Sequence, residues 1–476
     1  MTTIPFPVVS APGQRPHESA GRLINAYAEP LSAGARAQNA WRRAPGLRAF
    51  ASSPQSGNRG QILVGNTLWS AFAGNVTAFT SAGAATSIGA LAGTKKVFWA
   101  ANNKAPTPNL VVVDPDNGAY LVTTSGVPSF TGGGVLPAPN SVCFLDGYFF
   151  FTTGDGRCFA SALNDTTVNA LDFTTAQAKR GGLLRAVPFV DLYLCGPQAI
   201  EVYHDTAEPT GFPFSRVQVI GRGILGPNCI TGFEDGFGKG LILLGDDGCV
   251  YALNGYTPSK ISTPDVDRAV AAFRNAGGDP ATIEMFPYVA EGHACVVLRC
   301  SAFTWVFDVD TVRWHERQSY GATTWRATGA VSAFGKWLCG DTNSGALIEI
   351  TKAVGNELGT PLPFVVESGP VSGFPAAVAV PLATFDLARG VGTATGSDPS
   401  QTDPTVEIQW SDDGGVSWSK PLIRKLGAQA VVDRKPIRVA RTGMTTNSGR
   451  RWRLTVGDDV DVILTGGDMQ SETRAA

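Results

Sequence analysis

The feature that most constrains this chain is a recurrence of short apolar runs, each closed by a tight turn. The runs are rich in Val, Ile, Phe, Tyr and Trp, and the turns contain Gly, Asp and Asn. β-branched and aromatic residues favour strands, whereas an Asp-Gly or Asn-Gly pair suits a turn that needs a positive φ. The pattern predicts β-hairpins, with tips at Asn117-Gly118, Asp146-Gly147, Asp155-Gly156 and Asp247-Gly248.

The apolar runs also recur at a regular distance. The segments expected to lie innermost begin near Ile62, Val97, Val142, Val187, Leu241, Ala294 and Val331. A spacing of about 40–50 residues, with four strands per unit, is typical of β-propeller blades. We therefore predict a propeller-like domain of six or seven blades over residues 55–357. A long array of β-sandwiches is the alternative.

Composition supports an all-β chain. The 476 residues include 56 Gly and 31 Pro, and only 16% are charged, which excludes a coiled coil and global disorder. One short helix is predicted near 264–276, where Pro264 suits the first turn and Gly277 the end. From about Leu358 a Pro/Gly-rich passage interrupts the recurrence and alternating strands follow, so residues 358–476 are predicted to form a second, sandwich-like β domain. Residues 1–54 are predicted to supply an N-terminal segment or closing strands.

Neither a secretory signal nor a membrane-spanning segment is expected. The N-terminus lacks a basic region followed by an apolar run, and no apolar stretch approaches the roughly 18 residues that cross a bilayer. The eight cysteines form no CxxC or zinc-like spacing, which favours reduced, buried thiols. We expect synthesis in a cytoplasm.

Motifs with catalytic or cofactor chemistry are weak throughout. Gly221–Gly226 fits GxGxxG, but Pro227 and Asn228 follow where a phosphate-binding helix must begin. Residues 411–418 resemble one Asp-box of a sialidase-like propeller, and a single copy is best interpreted as a hairpin turn. We predict no catalytic residue, no cofactor and no metal, and hence no enzyme. The alternatives are a sialidase-like propeller glycosidase and a receptor-binding lectin.

One stretch near the C-terminus is strongly basic. Residues 424–453 contain nine Lys and Arg against Asp433 alone, although the whole chain has a net charge of −2. Such a cluster indicates a solvated face, a protein interface or a nucleic-acid contact. We predict a protein interface, with DNA contact second, formed by Arg434, Arg438, Arg441, Arg450, Arg451 and Arg453.

Several segments together resemble the tail hub proteins of short-tailed bacteriophages, which are also called tail accessory or packaged-DNA stabilisation proteins. The resemblance begins with RLINAYAEP (22–30) and RAPGLR (43–48). It continues through 145–179, VDLYLCGPQAIEVYHDT (190–206), the helix after Ser262, IQWSDDGGVSW (408–418) and the strand-like run at 453–470. The added Gly/Ser loop at 393–404 departs from the family pattern.

The resemblance implies a structural virion protein, a nozzle made in the host cytoplasm and located in the tail. Its expected partners are other copies in a hexameric ring, the portal and adaptor proteins, and a tail needle, spikes or fibres. Double-stranded DNA would pass through the lumen without sequence-specific binding. Such a ring would extend the DNA channel, retain packaged DNA and take part in its ejection. A lumen without many phosphate-neutralising contacts would let DNA slide.

Overall fold

The N-terminal strands serve two different parts of the molecule. The computed structural model describes residues 1–208, 210–373, 376–429 and 435–473. Its first five strands are β1 (Thr2–Thr3), β2 (Arg22–Ile24), β3 (Ala26–Pro30), β4 (Asn39–Arg43) and β5 (Gly46–Ser52). Strands β1–β4 join the C-terminal domain, whereas β5 joins the propeller.

Three four-stranded antiparallel sheets follow in chain order. Blade 1 consists of β6 (Asn58–Val64), β7 (Thr67–Phe72), β8 (Asn75–Phe79) and β9 (Ala85–Ala90). Blade 2 consists of β10 (Phe98–Ala101), β11 (Leu110–Asp114), β12 (Gly118–Val122) and β13 (Ser129–Phe130). Blade 3 consists of β14 (Ser141–Leu145), β15 (Tyr148–Thr152), β16 (Arg157–Ser161) and β17 (Val168–Thr175).

The next three blades repeat the same strand order. Blade 4 consists of β18 (Arg185–Phe189), β19 (Asp191–Cys195), β20 (Ile200–Asp205) and β21 (Phe214–Ile220). Blade 5 consists of β22 (Ile230–Thr231), β23 (Ile242–Leu244), β24 (Val250–Asn254) and β25 (Thr257–Lys260). Blade 6 consists of β26 (Glu284–Ala290), β27 (His293–Arg299), β28 (Thr304–Asp308) and β29 (Arg313–Glu316).

Blade 7 closes the ring with strands from both ends of the propeller sequence. It contains β30 (Ala327–Ala333), β31 (Lys336–Asp341) and β32 (Ala346–Thr351), and β5 pairs with β32 as the outer strand. An Arg48–Glu349 ion pair of 2.8 Å joins β5 to β32. Strands β33 (Asn356–Glu357) and β34 (Thr360–Pro361) extend this sheet. The all-β propeller prediction is confirmed, and the blade number is seven.

The blades explain why their second strands are continuous apolar runs. Both faces of a blade are covered by neighbouring blades, so Val111–Val113, Phe149–Phe151 and Leu192–Leu194 are buried throughout. In five blades the predicted innermost segment coincides with the first strand or immediately precedes it. In blades 5 and 6, Leu241 and Ala294 belong instead to the second-strand region, because the doubly covered second strand carries the stronger apolar signal.

The C-terminal domain is a sandwich of two sheets. Its strands are β35 (Phe364–Glu367), β36 (Val378–Ala379), β37 (Leu382–Leu387), β38 (Thr405–Ser411), β39 (Leu422–Lys425), β40 (Ile437–Ala440), β41 (Arg451–Val456), β42 (Ile463–Met469) and β43 (Glu472–Thr473). One sheet has the order β3-β4-β42-β37-β40. The other runs β2-β35-β41-β38-β39 and is continuous with blade 6 through β29 and β2.

The sandwich core lies between these two sheets. Trp41, Phe364, Phe385 and Trp452 pack there, and the Phe385 and Trp452 rings meet edge to face at 5.3 Å. Trp41 comes from β4, so N-terminal residues complete the core of a domain whose other strands follow residue 358. The sandwich therefore depends on contacts between residues more than 300 positions apart.

Two helices interrupt the strands. Helix α1 (Pro264–Asn275) buries Val266, Val270 and Phe273, as the predicted helix near 264–276 requires. Helix α2 (Pro399–Thr402) is a single turn within the Gly/Ser loop. All eight cysteines are free and seven are buried; burial raises the pKa of Cys229 to about 12. Among the described residues, no helix is long and apolar enough to cross a membrane.

Candidate interaction surfaces

The six arginines predicted to form an interface occupy different environments. Arg450, Arg451 and Arg453 lie at or in β41, in the middle of its sheet between β35 and β38. Arg438 lies on the edge strand β40, and Arg441 follows that strand. Arg434 lies outside the described residues. The interface assignment therefore concerns two structurally distinct groups, which are described in turn.

Arg450 is buried in the sandwich and has a complete set of partners. Its Nε and Nη2 donate to both carboxylate oxygens of Asp412, at 2.8 and 2.7 Å, and its Nη1 donates to Thr442 Oγ1. The guanidinium also lies beside the rings of Trp410 and Trp452, 5.7 and 5.8 Å from their centroids. A bidentate arginine–carboxylate pair fixes both partners, so Arg450 holds the Asp412 turn against the sheet.

Arg451 is buried on the opposite face of β41 from Trp452. It donates to the carbonyl oxygens of Ser368 at 3.0 Å, Gly414 at 2.9 Å and Pro16 at 3.1 Å, and to Ser19 Oγ at 2.9 Å. Burial lowers its pKa, although the nearby Glu367 opposes this shift. One guanidinium thus ties together the N-terminal 3₁₀ turn, β35 and the 411–418 hairpin.

Arg453 is half-buried beside Arg451. Its guanidinium pairs with Glu367 at 2.6 Å and lies over the Trp418 ring, 3.8 Å from the centroid. Trp418 therefore covers an arginine and is only partly buried. Planar stacking of Arg on Trp adds to the ion pair. Arg450, Arg451 and Arg453 are thus engaged within the chain itself.

The hairpin at 411–418 has the hydrogen bonds of a turn. Asp413 accepts from the Ser417 backbone N–H at 2.9 Å and from the Ser411 and Ser417 hydroxyls. These hydrogen bonds, with the Ser417 hydroxyl first, lower the pKa of Asp413. Its carboxylate is therefore fully committed to holding the loop.

A second group of basic residues lies at the far edges of the two sheets, where all but the half-buried Arg424 are exposed. We define the basic rim as Arg424 and Lys425 of β39, Arg438 of β40 and Arg441. Arg424 Nε approaches the Arg438 carbonyl oxygen at 3.3 Å, so the two edges meet. Arg424, Lys425 and Arg438 line an open cavity of about 270 Å³ that also contacts Arg389 and Lys435. Within the described ranges, the carboxylate paired with a rim side chain is Asp403, which contacts Lys425 at 2.5 Å.

A second cavity is the central channel of the propeller. It has a volume of about 610 Å³ and is lined mainly by the first strands of the blades. Lys96 and Arg299 pair with Glu284 at 2.9 and 3.4 Å. Burial alone would raise the pKa of Glu284, but these two cations outweigh it and the pKa is lowered. Arg185 lies between the Phe98 and Phe233 rings, at 4.8 and 4.9 Å.

Charged side chains at the central channel form ion pairs with one another, and these pairs hold blades together. Arg59 pairs with Asp114 and donates to the carbonyls of Lys95, Ala73 and Leu91, so it joins blades 1 and 2 at one end. Over the part of the chain that the structure describes, no group of three His, Cys, Asp or Glu side chains is placed to hold a metal. The sequence could not identify the channel residues, because they come from seven separate segments.

Comparisons with known proteins identify the family. Residues 20–355 match the family model described as Phage_stabilise, Bacteriophage P22 Gp10, beta-propeller. No curated protein matches the chain. The WD40 beta propeller domain of Doa1 is 11% identical, covers 64% of this chain and 97% of its own, and has a TM-score of 0.42. The structure of U3-55K is 9% identical, covers 64% of this chain and 99% of its own, and also has a TM-score of 0.42.

The family match extends from the second N-terminal strand to the last propeller strand. It includes β5, which closes blade 7, and all seven blades. Of the segments that carried the resemblance in the sequence, 22–30, 43–48, 145–179, 190–206 and the helix after Ser262 lie within the match, whereas 408–418 and 453–470 lie outside it. The chain belongs to the bacteriophage P22 Gp10 family of packaged-DNA stabilisation β-propeller proteins.

Proposed function

We propose that this protein is the tail hub, or nozzle, of a short-tailed phage. Six copies would form a ring below the portal and adaptor, extend the DNA channel and retain the packaged genome. The ring would also dock a needle, spikes or fibres, and the protein would be made in the host cytoplasm before it joins the virion. The observation that supports this proposal is the family match over residues 20–355.

The physical properties of the chain agree with a passive conduit. Outside the basic stretch at 424–453 the chain has a net charge of −10. A wall with few cations forms few of the phosphate contacts that release counterions and hold DNA in place. Sequence-specific DNA binding is therefore not part of the proposal.

We propose a structural role without catalysis. The single hairpin of the Asp-box type lies in the sandwich, where Asp413 is fully hydrogen-bonded within its own turn. Incubation of the purified protein with host surface glycans should release no reducing ends. Release that depends on an acidic residue of this chain would contradict the structural role and favour the glycosidase alternative.

Gene deletion and complementation test the hub directly. A phage without this protein should package DNA and then lose it, leaving empty heads without an intact tail. Wild-type protein supplied in trans should restore filled heads and a ring visible by cryo-electron microscopy. Filled, infectious particles that lack the protein would contradict the proposal.

A further inference from the structure

One end of the propeller leaves three apolar side chains largely or partly exposed. Leu163 is 66% exposed, Val190 81% and Tyr256 41%, and they lie at turns of blades 3, 4 and 5. In an antiparallel blade, the turns after the first and third strands emerge on the same face. Val190 also has a φ of 61°, a conformation that β-branched residues rarely adopt. A strained turn therefore presents an apolar side chain to solvent.

Acidic residues surround this apolar group. Asp191 accepts hydrogen bonds from the Tyr256 hydroxyl at 2.8 Å and from His204 Nδ1 at 2.7 Å. The pKa of His204 is raised, first by the hydrogen bond to Asp191 and further by the charges of Asp191, Asp205 and Asp146. These three carboxylates therefore act on one site. We define the acidic cap as Asp146, Leu163, Val190, Asp191, His204, Asp205 and Tyr256.

Other charges near the acidic cap leave it negative. Lys104 pairs with Asp165 at 3.6 Å, so it neutralises a carboxylate of the 162–167 loop and none within the cap. His204 is the basic side chain inside the cap, and it is already paired with Asp191. The cap thus combines exposed apolar surface with excess negative charge, a composition suited to a basic partner.

The basic rim lies on the strands of the sandwich that are farthest from the propeller in sheet order. The sheet order from blade 6 is β29-β2-β35-β41-β38-β39, so β39 is the strand farthest from the propeller. In the second sheet β40 is the edge strand farthest from β3, which packs beside β29. Blades 3 and 4 lie across the seven-bladed ring from the seam of blades 6 and 7, where the sandwich is attached. The acidic cap, mainly on blades 3 and 4, and the basic rim, on the far strands of the sandwich, are therefore separate surfaces of one chain.

We propose that the acidic cap of one copy binds the basic rim of the next copy. Such a contact joins two different surfaces, so it is heterologous and generates a ring if successive rotations close. This inference rests on the proposed function, because it assigns the surfaces through which the proposed ring forms. Opposite charges orient the encounter, and Leu163, Val190 and Tyr256 supply the apolar centre.

Charge reversal tests the contact in both directions. Arg424→Glu with Arg438→Glu reverses the rim, and Asp146→Lys with Asp205→Lys reverses the cap. Each pair should lower the number of rings on tails by about tenfold or more, because like charges then face each other. A chain that carries all four substitutions should form rings again, to within about threefold of wild type, because the charges are again opposite.

The control matched to the rim variant is Lys179→Glu with Arg180→Glu, which also replaces two basic residues by Glu, here at exposed positions. The linker that contains them leaves blade 3 on the face away from the acidic cap, so ring number should not change. Normal ring formation by the rim and cap variants would overturn the proposal. Failure of the fourfold variant, with its circular dichroism spectrum unchanged, would overturn the reciprocal contact.

Cross-linking provides a test that needs no charge change. A photoreactive amino acid in place of Val190 should link to residues 422–441 of a neighbouring copy in assembled tails. Links to another tail protein or to DNA would overturn the proposal. A single copy of the wild-type chain per tail would instead contradict the proposed ring, so the two failures are distinguishable.

Discussion

Arg450 and Arg438 lie twelve residues apart in one basic stretch, yet their environments are opposite. Arg450 is fully buried and makes a bidentate pair with Asp412, whereas Arg438 is exposed on the last strand of its sheet. The difference arises from what covers each side chain. The Asp412 turn and Thr442 enclose Arg450. Arg438 alternates with the buried Ile437 and Val439 on β40, so it lies on the uncovered face of its sheet. A high density of charged residues in a sequence therefore does not by itself indicate an exposed surface, because arginines in such a stretch can be buried and paired within the chain.

The largest effect is expected when a buried tie is removed. Arg450→Ala should lower the free energy of unfolding by about 3 kcal/mol, since Asp412 loses its bidentate partner in a largely protein-lined site. Denaturant unfolding followed by tryptophan fluorescence measures the change. Arg450→Lys should recover only part of the loss, because an ammonium group cannot reproduce the fork. Wild-type stability of the alanine variant would show that the pair is dispensable.

Arg451→Ala should lower the free energy of unfolding by less, about 2 kcal/mol. Three carbonyl groups lose their donor in this variant, but Glu367 keeps Arg453 as a partner. The segments that Arg451 joins should also become locally less stable. Hydrogen exchange should accelerate at residues 16–19 and at the 411–418 hairpin, which this guanidinium joins. Unchanged exchange at both segments would contradict the tie.

The pH dependence of stability tests the 411–418 hairpin, whose Gly414 carbonyl accepts a hydrogen bond from Arg451. The pKa of Asp413 is lower in the folded chain, so its stabilisation is present above the unfolded-state pKa of about 3.9 and is lost as pH falls. Wild type should exceed Asp413→Asn in stability at pH 6, by less than about 1 kcal/mol because the carboxylate is exposed. The difference should shrink below about pH 4. A constant difference would exclude titration of Asp413 as its cause.

The smallest effect is expected at the basic rim. Arg438→Ala and Arg441→Ala should change the free energy of unfolding by no more than about 0.5 kcal/mol, since both side chains are exposed. Raising the salt concentration should leave the Arg450→Ala defect nearly unchanged, because a buried pair is screened little. If the rim variants destabilised the chain as much as Arg450→Ala, the distinction between the two groups would fail.

The sequence alone determined the local structure of this protein. Strand-turn-strand patterning predicted the all-β propeller, because alternating apolar runs and Asp-Gly turns act over a few residues. Helix α1 was likewise predictable from Pro264 at its first turn and Gly277 at its end, and so was the family resemblance within the matched range. The second strands of the blades gave the strongest signal, since burial on both faces demands apolar side chains throughout.

Only the tertiary structure decided which parts of the chain act together. Trp41 completes the sandwich, β5 closes blade 7, and Arg451 contacts Pro16 and Ser19, and none of these partners is near in sequence. The two arginine groups differ for the same reason: the segments that cover Arg451, at residues 16–19 and 411–418, come from distant parts of the chain. A local pattern encodes a strand, but its position in a sheet depends on which distant segments bury their apolar faces against it.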